Sequence, residues 1–225
     1  MKKILSLILI IGIGIILFIK FFISPQINLK IKSMPQKVHN FILLHNSSSV
    51  ILSNISPFIQ QATIASQDKS FKYNIGISFR GTIRAVLFSI LTKNHQGAST
   101  ITEQLAKNVY FNDTDNLKTD FLTKIYALYI TRMYSKNQIL ELYLNDIYFG
   151  RNAYGINAAS KIYFNTDAKN LSLFQSAYLL GLITAPSYLG EHKNAAIKNA
   201  KLVLQTMVNN NFITQKQAEI AEAKL

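Results

Sequence analysis

The chain is expected to fold as a mainly α domain behind one N-terminal membrane-spanning helix, and three observations predict this. Residues 4–23 are apolar apart from Ser6, two glycines and Lys20, and at ~1.5 Å per residue such a run reaches ~30 Å, the thickness of a bilayer's hydrocarbon core. Downstream, apolar residues return at steps of three and four, the spacing that lines one face of a helix. Few segments alternate with period two, so little of the chain reads as strand.

Lys2 and Lys3 precede the apolar run and Lys20 can snorkel from its outer end. No acid stands before Asp68, so charge bias alone does not orient the segment, and the very short N-terminal flank favours a signal anchor with its N-terminus in the cytoplasm. Residues 24–30 offer no small-x-small cleavage site and the chain has no cysteine for a lipid anchor, which favours retention over cleavage. Residues 1–24 are therefore read as cytoplasmic stub and anchor, and residues 25–54 as a stalk opened by Pro25, with strands at 40–44 and 50–52. Residues 55–225 form the folded domain, long enough to bury its own core.

Within that domain Ser56-Pro57 caps a helix running to about Ser66. Ile83, Val86, Leu87, Ile90 and Leu91 make residues 79–91 amphipathic, and further helices are expected over 102–109, 120–133, 136–144, 155–163, 172–182 and 195–209. Two capping boxes are predicted, Thr100 with Glu103 and Ser135 with Gln138. Glu103 and Lys107 have the spacing of an ordinary i,i+4 pair. Ile139 with Tyr143, and Leu140 with Leu144, read as core-facing pairs.

Twenty-four basic residues stand against eleven acidic ones, a net charge of +13. Such a surface prefers anionic partners, and a membrane-tethered domain meets lipid headgroups and lipid-linked phosphates before any nucleic acid. The absence of cysteine excludes disulfides and thiol catalysis. His39, His45, His95 and His192 show no metal-ligand spacing.

The most informative stretch is Gly97-Ala98-Ser99-Thr100-Ile101-Thr102-Glu103-Gln104-Leu105-Ala106-Lys107-Asn108, which packs hydroxyls, an acid, an amide and a cation at a loop-to-helix entry. It resembles the second motif, G-[GA]-S-T-I-T-Q-Q-x-x-K-N, of the family 51 glycosyltransferases, the lysozyme-like membrane enzymes that polymerise lipid II into peptidoglycan glycan strands. The run Lys136-Asn137-Gln138-Ile139-Leu140-Glu141-Leu142-Tyr143-Leu144-Asn145 matches the family's fourth motif, K-x-x-I-L-E-x-Y-L-N. Gly150, Tyr154-Gly155, Tyr163-Phe164 and Ala185-Pro186 resemble the family's more C-terminal region, its fifth motif included. With the chain ending soon after, the likeness is to the monofunctional members. The resemblance implies an inner-membrane protein facing the cell-wall side, with lipid II and lipid-linked glycan as substrates and other cell-wall synthases as candidate partners. It implies that Ser99, Thr100, Gln104, Lys107, Asn108, Lys118, Lys124, Lys136, Glu141 and Asn145 line the substrate site. The residues name no cofactor, and the resemblance leaves a divalent cation, magnesium or manganese, open.

Two motifs depart from the family. The first reads E-D-x-x-F in relatives and Gln67-Asp68-Lys69-Ser70-Phe71 here, so an amide stands where the general base is a glutamate. The third, R-K-x-x-E, aligns with Thr119-Asp120-Phe121-Leu122-Thr123 and keeps none of its three specified residues. A sugar hydroxyl attacks poorly unless a base takes its proton, an effect of about 10²–10⁴ in rate, and a carboxamide has no basic lone pair near neutral pH. Lost third-motif cations weaken stabilisation of the departing pyrophosphate. Gln67 and Thr123 thus mark the family's two glutamate positions, with Glu103 and Asp68 as substitute acids. Glu103 reads first as a cap residue and second as a relocated base. Glu141 reads as an organiser of the cleft seeking a cation. The expected protein is a weakened or rewired polymerase, or a lipid II- or glycan-binding pseudoenzyme that regulates other synthases.

Overall fold

Helix starts fall where the capping residues stand. In the computed structural model, which describes residues 24–78, 99–112, 114 and 116–223, Ser56 caps α3 (Pro57–Gln67), accepting from the Phe58 amide with Pro57 in the first turn. The Ser56 hydroxyl also donates to the Leu171 carbonyl at 2.7 Å and its amide to the Ala168 carbonyl at 2.9 Å. One cap therefore fixes both a helix start and a tertiary contact. Ser135 and Gln138 close the predicted capping box on α6 (Lys136–Asp146), and Ser172 with Gln175 does the same on α8 (Leu173–Leu182). The expected anchor and the helix expected over 79–91 lie outside the described residues.

The segment read as a stalk is helical and packed. α1 (Ser24–Lys32) and α2 (Met34–Leu44) bury Ile27, Ile31, Met34, Val38 and Ile42, a single apolar stripe that runs across both helices. α1 lies on α5 (Leu117–Met133) and α2 on α6, and the Tyr110 and Tyr134 hydroxyls donate to the Lys30 and Ile31 carbonyls, each at 3.0 Å. The strand expected at 40–44 is the end of α2. The one expected at 50–52 is extended backbone leading into a short 3₁₀ turn, Leu52–Asn54, and α6 side chains take the hydrogen bonds that a neighbouring strand would have made. Among the described residues there is no named strand, only an isolated bridge between Tyr148 and Tyr154, and no helix long and apolar enough to cross a membrane.

The remaining helices are α4 (Ile101–Phe111), α7 (Gly155–Phe164), α9 (Pro186–Glu191), α10 (Lys193–Asn209) and α11 (Gln215–Glu222). α8 is buried along almost its whole length because α3 and α10 cover it. Gly181 lets α10 approach: a Cβ there would lie 3.0 Å from the Ala200 nitrogen. α4 crosses α5 on one side and α6 on the other, and this three-helix contact, capped by the loop after α3, holds the candidate site.

Candidate active site

The loop after α3 is organised by one acid. Asp68, 7 % exposed, caps the C-terminus of α3. Its Oδ1 accepts from the Ser70 amide (3.2 Å) and hydroxyl (2.8 Å), and its Oδ2 from Asn74 Nδ2 (2.7 Å) and the Ile101 amide (3.4 Å). With four donors the carboxylate ties the loop to the start of α4 and is poorly placed to take a substrate proton. Asn74 passes the connection on, its Oδ1 accepting from the Gly76 amide (3.0 Å) and Lys136 Nζ (2.9 Å). Lys136 also sits 4.8 Å above the Phe71 ring. Burial lowers its ammonium pKa, against the pull of the Asp68 charge.

Gly76 is required by the fold here. Its φ is +99°, and a Cβ would lie 2.4 Å from the Ala127 carbonyl oxygen of α5. Its own carbonyl accepts from the Thr100 hydroxyl at 2.6 Å. Thr100 thereby joins the loop while capping α4, its hydroxyl accepting from the Glu103 amide at 3.0 Å.

Gln67, at the end of α3, faces α4. Its Oε1 accepts from Gln104 Nε2 at 3.3 Å, and Gln104 Oε1 accepts from the Tyr143 hydroxyl of α6 at 2.7 Å. This chain of neutral groups can orient a hydroxyl and cannot accept its proton. Burial pushes the Tyr143 hydroxyl pKa up, with smaller contributions from the Asp146 and Asp68 charges.

Glu103 is where the structure departs most from the sequence expectation. The predicted capping box is half made: Thr100 caps, but the Glu103 carboxylate turns instead to α5, with Oε2 3.3 Å from Lys124 Nζ. The residue is 2 % exposed, and its Oε1 is enclosed with no hydrogen-bond partner. Burial raises its pKa, Lys124 opposes the rise, and the Asp68 charge adds to it. Thr123 is buried beside Lys124 in sequence with its hydroxyl also unbonded.

The other predicted residues divide into two groups. Ser99 and Lys118 are exposed, Lys107 is half-buried on α4, and Asn108 Nδ2 donates to Asp146 Oδ2 at 2.9 Å. Asp146 is a site residue that the sequence did not single out; it is buried at the last residue of α6, and desolvation raises its pKa to about 6 against the Asn108 hydrogen bond. Its place directly after Asn145 was the available signal. Glu141 and Asn145 face away from this cluster. Asn145 Oδ1 accepts from the Val50 amide (2.8 Å) and its Nδ2 donates to the Val50 carbonyl (2.9 Å), while Glu141 Oε2 accepts from the Leu52 amide at 2.7 Å. Glu141 therefore meets a backbone amide in place of the expected cation. Among the described residues no three His, Cys, Asp or Glu side chains converge as a metal site.

A family model described as Transglycosylase matches residues 34–208. The chain is similar to a monofunctional glycosyltransferase of Staphylococcus epidermidis, 33 % identical over 221 residues that cover 92 % of this chain and 77 % of the relative. It is also similar to penicillin-binding protein 1A of Rickettsia bellii, 32 % identical over 97 % of this chain, and to penicillin-binding protein 2D of Bacillus subtilis, 37 % identical over 76 % of it. The matches cover only 30 % and 25 % of those two longer proteins.

Proposed function

The chain belongs to the transglycosylase family, and from that premise we propose that it acts on lipid II as a peptidoglycan glycosyltransferase-type protein with a weakened catalytic centre. In this reading a lysozyme-like α domain is held at the outer face of the bacterial inner membrane by the apolar run at residues 4–23. The reaction is an inverting displacement: a sugar 4-hydroxyl attacks the anomeric carbon of the lipid-linked donor, and the bond to pyrophosphate breaks.

The observation that carries the reading is the Gln67–Gln104–Tyr143 chain at the family's base position. It keeps the polar geometry that positions a hydroxyl and lacks the acceptor that would deprotonate it. Lys136, held near the loop by Asn74, remains to attract phosphate charge. A specific observation favours a second reading, a non-turning lipid II- or glycan-binding regulator of other cell-wall synthases: Lys124, one of the two cations flanking the altered third motif, is paired with Glu103.

The test is a gel assay of the purified full chain with labelled lipid II, beside a binding measurement. Slow polymerisation by the wild type, made faster by Gln67→Glu, is the expected result. Binding with no polymer from either protein supports the regulatory reading, and absence of both binding and polymer overturns the two together.

A further inference from the structure

We infer that Glu103 is the proton acceptor of this site, a relocated general base standing on α4 in place of the missing acid at the end of α3. The inference rests on the lipid II reading and names the residue that would perform its proton transfer. It is carried by hydrogen-bond occupancy. Asp68 is saturated by four donors, while Glu141 gives one oxygen to the Leu52 amide and Asp146 gives one to Asn108. Gln67 is an amide. Glu103 alone among these positions has a buried carboxylate oxygen with no donor, and a sugar hydroxyl is a donor of the kind that oxygen lacks.

Position agrees with occupancy. The Glu103 carboxylate lies close enough to Asp68 to feel its charge, and Asp68 directly follows Gln67, the family's base position. Lys124, 3.3 Å from the other oxygen, keeps the group ionised, and burial makes it a stronger base than an exposed glutamate. The capping-box role that would have occupied the carboxylate is not made. Because Oε1 is enclosed, the side chain must turn out of its enclosure to meet a hydroxyl. Lys124, 37 % exposed, has room to follow.

The step balances simply. The hydroxyl oxygen forms the new bond to the anomeric carbon, and the carbon–oxygen bond to pyrophosphate breaks with its electron pair leaving on the phosphate oxygen. The hydroxyl proton passes to the Glu103 carboxylate, which later releases it to solvent.

The experiment compares wild type, Glu103→Gln, Lys124→Gln, Gln67→Glu and the Gln67→Glu/Glu103→Gln double variant for lipid II polymerisation across pH and for lipid II binding. Glu103→Gln is expected to lose about 10²–10⁴ in rate while binding persists. The acid limb of the wild-type pH profile should lie above the ordinary carboxylate range and move higher in Lys124→Gln, a shift that a purely structural ion pair would not give. Activity of the double variant shows that Glu103→Gln folds. Glu103→Gln polymerising at the wild-type rate, or an acid limb unmoved in Lys124→Gln, overturns the inference and leaves the lipid II reading standing. An inert wild type alongside an active Gln67→Glu does the same. If no variant polymerises or binds lipid II, both fail.

Discussion

Helices α4 and α6 each carry a glutamate inside a family motif, and they use it in opposite ways. On α6 the motif is complete, and Glu141 with Asn145 forms a clip on the extended backbone at residues 50–52. On α4 the motif has changed at Glu103, whose carboxylate has one oxygen on Lys124 and one on nothing. At these two positions the unaltered motif serves structure, and the altered one carries the unsatisfied polar atom. A satisfied acid sets geometry; an unsatisfied one is available for chemistry.

The largest expected effect tests the clip. Asn145→Ala removes both hydrogen bonds to Val50 and leaves partly buried backbone groups unpaired, each worth about 1–3 kcal/mol. A loss of about 2–4 kcal/mol in urea unfolding is expected, with lipid II binding per folded molecule unchanged. A variant that keeps its stability but loses binding would place Asn145 itself at the substrate and erase the contrast with Glu103.

Sequence and structure meet unevenly in these same regions. The capped helices were legible because Ser56, Ser135 and Ser172 satisfy their first amides locally, and local chemistry is what a sequence displays. α1 and α2 were not. Their apolar stripe is interrupted by Ser33 and the helices carry Pro25 and Pro35, so the period looked broken although proline is tolerated in a first turn. The site was half legible: Gln67 and Glu103 stood out as motif departures. Their pairings did not, because Gln104 and Lys124 stand on other helices, 37 and 21 residues along the chain from Gln67 and Glu103, and helical periodicity says nothing about which faces meet.

The next effect concerns α6's other acid, which is neither clip nor base. The Asp146 carboxyl has a folded-state pKa raised from 3.8 to about 6, so between those values the folded protein binds more protons than the unfolded chain. Its contribution to stability is therefore greatest at low pH and falls as pH rises through that window. Asp146→Asn keeps an acceptor for Asn108 and should stabilise by about 1–3 kcal/mol at pH 8. Unfolding curves at pH 4 and pH 8 read this directly, and equal slopes for wild type and variant would mean that the carboxyl is not desolvated.

The smallest effect is the most direct comparison of the two glutamates, because one substitution made on each helix should move stability in opposite directions. Glu141→Gln exchanges a charged acceptor for a neutral one at the Leu52 amide and should cost about 1 kcal/mol. Glu103→Gln removes a buried charge whose pKa is raised by desolvation. In the wild type that charge lowers stability once pH rises above the ordinary carboxylate value, and the penalty grows until the folded-state pKa is passed. The amide should therefore equal or exceed the wild type in stability at pH 8 and lose any advantage near pH 4, while Lys124, partly exposed, returns to water. Thermal midpoints at the two pH values decide the matter. If Glu103→Gln destabilises at pH 8 as Glu141→Gln does, the Lys124 pair is a structural tie, and α4 and α6 would be using their acids alike.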